Sequence, residues 1–247
     1  MRDKFNAFLT KQMFEPSLIG IFVNPFYLAR IALLREIKTS GKEIVGKTLD
    51  VGCGTKPYEK FFSSSKYTGL EIETTINREG KSVDVFYDGG KFPFADNEFD
   101  SIVTNQVLEH VFNPTEFLSE INRVLKLNGN LLLTVPFVWD EHEQPYDYAR
   151  YSSFGLAHLL KQHGFEIVES KKTANDFRIF AQLLNAYIYK ITQRNKVIRQ
   201  LFTFFIMSII SILGMLLSKI LPKNNDLYLD NIILAKKIEN VQLLHTV

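Results

Sequence analysis

LDVGCGT, residues 49–55, is the stretch whose reading decides the fold. It ends an apolar run at 44–51 that reads as a strand, and its two glycines flank a single residue. Glycine tolerates positive φ and lets a ligand approach the backbone with no Cβ in the way. The strand therefore opens into a tight, ligand-facing loop. A dinucleotide fingerprint needs a third glycine at the start of the next helix, and here that position is Pro57. A nicotinamide or flavin dinucleotide is disfavoured. Asp50, two residues before Gly52, stands where it meets a cation rather than a pyrophosphate.

Outward from this loop, strands and helices alternate. Further strands are expected at 67–72, 83–87, 100–104, 131–135, 165–169 and 228–236, and helices at 27–37, 57–62, 114–126 and 153–163. Asn128-Gly129-Asn130 reads as a turn and Gly164 as a helix C-cap. Apolar strands alternating with helices predict an α/β fold, a doubly wound and mostly parallel sheet of seven strands. The expected organisation is an N-terminal helical cap at 1–40 and a core at 41–174. A basic, apolar helical insert at 175–225 and the final strand and tail at 226–247 complete it. The chain shows no internal repeat, and its N-terminus does not read as a signal peptide.

Sheets of this kind bind ligands beyond the carboxyl ends of their strands. Glu71 ends the second strand, where its carboxylate can accept two hydrogen bonds from vicinal ribose hydroxyls. Asp88 ends the third and can accept from an exocyclic amine, and Asn105 ends the fourth. The set suits a ligand with an ammonium, a ribose diol and an adenine but no phosphate. S-adenosylmethionine is such a ligand.

The sequence resembles the class I S-adenosylmethionine-dependent methyltransferases, especially their small-molecule, type 11-like branch. The matching text is LDVGCGT (49–55), YTGLEIE (67–73), FPFADNEFDSIVTNQVLEHV (92–111) and INRVLKLNGNLLLTVPF (121–137). It spans roughly residues 44–172, with 228–236 completing a Rossmann-like methyltransferase sheet. The resemblance implies that Gly52, Cys53 and Gly54 line the methionine and ribose, and that Asp50 serves the amino group. It implies that Glu71 holds the ribose hydroxyls, Asp88 and Gly89 meet the adenine, and Asn105 with Gln106 borders the sulfonium. One departure is visible, since Lys56-Pro57 replaces the glycine usual after the G-x-G-T element. Cys53 reads as a small space-filling residue rather than a nucleophile.

The loop after the fifth strand, residues 138–151, is dense in aromatic and titratable groups. His142 is the candidate general base, because imidazole titrates near neutral pH. Arg150 is a candidate bidentate clamp for an anionic acceptor, and Tyr146 or Trp139 a pocket wall. The alternative has His142 exposed and Arg150 paired with Asp147 for structure. His110, beside Glu109, is expected to pack at a helix start.

Composition sets the rest. The 247 residues carry 29 basic and 27 acidic groups, a net charge of +2, which makes no general case for a nucleic-acid partner. The single cysteine excludes an intrachain disulfide and a cysteine-built zinc site, and no metal is expected. The balance is uneven, however. Residues 171–223 hold nine basic residues and one acid, Asp176, so the remainder is net acidic. Within them, LFTFFIMSIISILGMLLS (201–218) has no charge over the length at which a membrane helix becomes feasible. Phe177, Phe180, Leu184, Ile188 and Ile191 recur at helical spacing just before it. Strands on either side of the insert put both its ends on one side of any membrane. A shallow helical hairpin on an anionic membrane surface is expected, with a lid or a homodimer interface as the alternative. The expected activity is methyl transfer to a small-molecule or lipid-linked acceptor, such as a glycolipid or surface-polysaccharide precursor, at the cytoplasmic face. The alternative is a non-catalytic module that binds the donor or a partner.

Overall fold

The computed structural model describes residues 2–73 and 82–241. Three helices come first: α1 (Arg2–Phe14), α2 (Gly20–Val23) and α3 (Tyr27–Ser40). Strands β1 (Val45–Val51), β2 (Ser63–Ile72), β3 (Val85–Tyr87) and β4 (Phe99–Asn105) follow, then α4 (Pro114–Val124) and β5 (Leu125–Pro136). Next come α5 (Ser153–Gln162), β6 (Phe165–Lys172) and α6 (Arg178–Ile191). A long helix is built from α7 (Lys196–Phe202), a π turn (Thr203–Met207) and α8 (Ser208–Leu217), and β7 (Asp230–Lys237) closes the sheet.

Among the described residues the sheet has seven strands in the order β3-β2-β1-β4-β5-β7-β6. The pairs β1·β2, β1·β4, β2·β3 and β4·β5 are parallel. β6 and β7 run in opposite directions: Thr173 N–H donates to the Asp230 carbonyl at one end and Ile238 N–H to the Gly164 carbonyl at the other. The sheet is therefore mixed, doubly wound as expected, with its switch point where β1 is flanked by β2 and β4. Leu49, Val51, Ile102, Leu131, Leu133 and Val135 are wholly buried, as central strands covered on both faces must be.

Two expected elements differ. The helix at 57–62 is only one 3-10 turn, Glu59–Phe61. Lys56 at φ 53° turns the chain there. The Asn128–Asn130 turn lies inside β5, where the pairing steps from Phe99–Leu125 to Ser101–Asn130 and Asn128 takes φ 63°. The extra residues are absorbed as an irregularity of the ladder rather than a break in the strand.

Tertiary contacts gather the chain into two compact units. One comprises residues 37–137, 141–171 and 231–247 and holds nearly all of the sheet. The other comprises residues 1–36, 138–140 and 172–230, so the N-terminal helices and the apolar insert share one body. Inside that body α6 packs on α8, with Ala181 against Gly214: a Cβ added at Gly214 would lie 2.5 Å from the Ala181 Cβ. Asn185 Nδ2 donates to Ser211 Oγ (2.9 Å) and to the Met207 carbonyl (3.2 Å).

Candidate active site

The site is set by one register. Asp50 on β1 lies opposite Gly69 on β2, and side chains two residues apart share a sheet face. Tyr67 and Glu71 therefore flank the Asp50 position. Asp50 is nearly buried, and its Oδ2 accepts a 2.7 Å hydrogen bond from the Tyr67 hydroxyl. Burial pushes the Asp50 carboxyl up to about 7 against the opposing Tyr67 bond, and the neighbouring Glu71 charge adds to the rise. Burial and the Asp50 charge in turn hold the proton on Tyr67. A cation delivered here would keep Asp50 ionised.

Beyond β1 the backbone turns sharply. Gly52 and Cys53 donate their N–H groups to the Leu70 carbonyl at 2.9 and 3.2 Å. Gly52 has φ +73°, and a Cβ there would sit 2.4 Å from Val107. Gly54, at φ +52°, has nothing within 4 Å of the Cβ position, so its face is open to a ligand. Its N–H donates to Glu71 Oε2 at 3.0 Å, tying the loop to the end of β2. Glu71 Oε1 accepts from the Ile72 N–H at 3.2 Å, and the side chain is nearly buried. A carboxylate preset by two backbone donors suits bidentate capture of a diol.

Cys53 is buried, and desolvation with the charges of Asp50 and Glu71 pushes its thiol up to about 12. It fills space, as the sequence predicts. Asp88 and Gly89 are exposed at the end of β3; Gly89 has φ +95°, and Asp88 Oδ1 accepts from the Gly90 N–H at 3.0 Å. Gln106 takes φ 55° at the end of β4, its N–H bonded to the Thr134 carbonyl at 2.9 Å. Thr134 Oγ1 lies 3.3 Å from Gln106 Nε2 and 3.4 Å from Asn105 Oδ1, joining the two residues to β5.

Sequence reasoning missed two groups. Tyr67 holds Asp50, and period-two alternation with Glu71 is the signal that could have found it. Asp84 pairs with the Lys56 ammonium and accepts the Gly69 N–H at 2.6 Å. That pair pins the Lys56 ammonium just before β3 and fixes the loop at Lys56-Pro57.

The loop after β5 is more ordered than its composition suggests. Arg150 donates to both Asp147 oxygens at 2.6 Å, and the His142 backbone N–H reaches Asp147 Oδ2 at 2.9 Å. Burial would raise the Asp147 carboxyl, but these bonds outweigh it and hold it near about 2. Arg150 is thus a loop fastener, not the expected anion clamp, because its fork is already engaged. The Tyr146 side chain is exposed while its carbonyl lies 2.8 Å from His110 Nδ1. Trp139 packs on Phe26 within the helical unit, at 5.9 Å between ring centroids. His142 meets His110 edge-on with ring centroids 4.8 Å apart.

A family model described as a methyltransferase domain matches residues 49–133. An uncharacterized protein of Methanocaldococcus jannaschii is 27% identical over 140 residues, 52% of this chain and 68% of that protein. An uncharacterized methyltransferase of Schizosaccharomyces pombe is 33% identical over 103 residues, 34% of this chain and only 37% of that protein. Phosphoethanolamine N-methyltransferase 2 of Haemonchus contortus, solved with S-adenosyl-L-methionine, superposes with a TM-score of 0.54 at 20% identity. The superposition covers 95% of this chain and 60% of that one. The sheet has the Rossmann-like fold of such solved methyltransferases, and residues 49–133 are similar to a methyltransferase domain. The donor set built by Asp50, Gly54 and Glu71 fits S-adenosylmethionine.

Proposed function

We propose that the chain is an S-adenosylmethionine-dependent methyltransferase that modifies a lipid-linked or small-molecule acceptor at an anionic membrane surface. The observation that carries the catalytic half is the buried Glu71 carboxylate, fastened to Gly54 N–H two residues from the position opposite Asp50. In this reading Asp50 takes the amino group and Glu71 the ribose hydroxyls. Asp88 and Gly89 border the adenine, and Asn105 with Gln106 borders the sulfonium. The donor carries its own activation, so the protein's task is to align acceptor, methyl carbon and sulfur and to exclude water. His142 and the Tyr146 backbone stand on the acceptor side, and Asp147 with Arg150 holds them there.

The membrane half rests on α6 and the long helix after it, whose outer faces are apolar. The buried face of α6 is Ile179, Ala181, Gln182, Asn185 and Ala186, whereas Phe180, Leu184, Tyr187 and Ile191 are exposed. On the following long helix Thr203, Met207, Ser208, Ser211 and Gly214 are buried, while Phe204, Phe205, Ile209, Leu213 and Leu216 are exposed. In water the opposite arrangement is favoured, because each large apolar side chain left exposed forgoes about 1.5–3 kcal/mol. Small and polar residues between helices with apolar residues outside is the pattern of packing in lipid. Exposed Arg194, Lys196, Lys219 and Lys223 border this surface and suit anionic headgroups of the cytoplasmic leaflet.

The test supplies methyl-labelled donor with polar and lipid extracts, alongside vesicle flotation. Label entering the lipid extract, and flotation on anionic vesicles, are the expected results. Label confined to the polar extract would remove the lipid-linked acceptor. Donor binding with no labelled product would favour the non-catalytic module. A dimer that ignores vesicles would assign the apolar face to a second copy of the chain.

A further inference from the structure

We propose that Glu109, His110 and His142 bind a divalent metal ion of the zinc class at the acceptor end of the sheet. Their ligand atoms all lie within 4.8 Å of one another. Glu109 and His110 come from the 3-10 turn just after β4, and His142 from the loop after β5. Neither segment alone carries a recognisable metal motif, which is why the sequence predicts no metal. The chain crossing at the sheet's carboxyl edge assembles the set.

Three observations argue for a cation rather than a chance meeting. The Glu109 side chain is wholly buried, and its Oε1 lies 3.8 Å from His110 Nε2. A carboxylate removed from water is favoured by concentrated positive charge beside it. The loop is also drawn onto this residue, since the Tyr148 and Ala149 N–H groups both donate to the Glu109 carbonyl at 2.8 and 3.2 Å.

Second, each imidazole is already oriented by its other nitrogen. His110 Nδ1 lies 2.8 Å from the Tyr146 carbonyl, which can only accept. Nδ1 therefore donates to that carbonyl, which leaves Nε2 on the side of Glu109 Oε1. His142 Nδ1 lies 3.3 Å from Asp147 Oδ2, an oxygen it shares with Arg150, whose Nη2 is 3.4 Å from the same ring nitrogen. Asp147 and Arg150 together hold the Nδ1 edge of the ring in place. Backbone carbonyls and carboxylates behind histidines are the usual orienting partners of metal ligands.

Third, the donor set is chemically apt. Two imidazoles and one carboxylate form a common catalytic zinc set that keeps a position open. Glu143 Oε2, on an exposed side chain 3.9 Å from His110 Nε2, stands near that position. Bonds of about 2.0–2.1 Å at tetrahedral angles separate ligand atoms by about 3.3 Å, so binding draws the two loops together by up to about 1.5 Å. Two partly exposed histidines on loops can supply that movement.

The role assigned to this ion rests on the methyl-transfer reading; its binding does not. The ion would favour an acceptor bearing a hydroxyl by lowering the cost of removing its proton, which leaves to solvent. The acceptor oxygen then forms the O–CH3 bond as the S–CH3 bond breaks, and the sulfonium becomes a neutral thioether. On this reading the acceptor atom is an oxygen, and His142 holds the metal rather than serving as a free general base.

The experiment uses the full chain without a histidine tag, freed of metal by chelator dialysis. Zn2+ is titrated calorimetrically and Co2+ by visible absorption, for the parent, His110→Asn and His142→Asn. One equivalent of each ion is expected, with ligand-field bands of an N/O site for Co2+. Either substitution should weaken uptake at least tenfold while leaving donor affinity and the far-ultraviolet spectrum unchanged. Absence of saturable uptake, or one-equivalent uptake that both variants retain undiminished, would overturn the proposal. Failure of donor binding with Zn2+ uptake intact would overturn the methyltransferase reading and leave the metal site standing.

Discussion

Asp50 and Glu71 are two carboxylates on adjacent strands, each with its own set of partners. Glu71 is preset by two N–H donors. Asp50 is starved of water, with its carboxyl raised to about 7 chiefly by burial. In the ligand-free protein this costs stability as pH climbs from the ordinary carboxylate range toward 7, because the folded state retains a proton that the unfolded state releases. Below that window the cost is absent. A bound ammonium ionises Asp50 and reverses the effect. The thermal shift produced by S-adenosylmethionine should therefore grow from the ordinary carboxylate range up to about pH 7, and Asp50→Asn should flatten that growth. A shift independent of pH in the parent would contradict the assignment. Cys53, its thiol held up to about 12 by burial and adjacent charge, should resist alkylation at neutral pH in the folded state and react once unfolded. Asp50, Gly52, Gly54 and Glu71 were legible in the sequence because each stands directly at a strand end. Tyr67, Asp84 and the state of Arg150 were not, because a residue's role there depends on which partner the register or loop brings opposite it.

At the scale of elements, the α6·α8 contact turns on one glycine. A Cβ at Gly214 would lie 2.5 Å from that of Ala181, so Gly214→Leu should force the helices apart, at a cost of about 1–3 kcal/mol or more. Reduced thermal stability of the helical unit, read by proteolysis within residues 178–217, checks this. Spacing alone showed that α6 is amphipathic, and it showed that 201–218 is apolar. It could not show which stripe faces inward, because a helix has the same periodicity whether its apolar side meets a protein core or a lipid. Gln182, wholly buried and donating to the Pro25 carbonyl at 3.2 Å, is what fixes the answer. The seven strands were legible because each is a short apolar run bounded by turn residues. The helix expected at 57–62 shrank to one turn because Lys56 is pinned to Asp84.

At the scale of the whole molecule, acidic strand ends and a basic apolar body lie within one nearly neutral chain. The helical unit should bring the protein to vesicles. Replacing both Phe204 and Phe205 by serine should lower partitioning at least about tenfold, since each exposed aromatic contributes roughly 1.5–3 kcal/mol on burial. Raised salt should weaken the parent's binding to anionic vesicles through its basic residues. Unchanged flotation of the double variant would remove the apolar face from the account.

The methyl-transfer account depends on the site at the ends of β1 and β2 being built for a phosphate-free, cationic nucleoside. Isothermal calorimetry of S-adenosylmethionine against the parent and Glu71→Ala, with the fold of each verified by circular dichroism, tests it most directly. One-site binding is expected, weakened at least about 100-fold by the substitution, because two charge-assisted hydrogen bonds to the ribose are lost. Equal affinity in the two proteins, or no heat of binding from a well-folded parent, would contradict it.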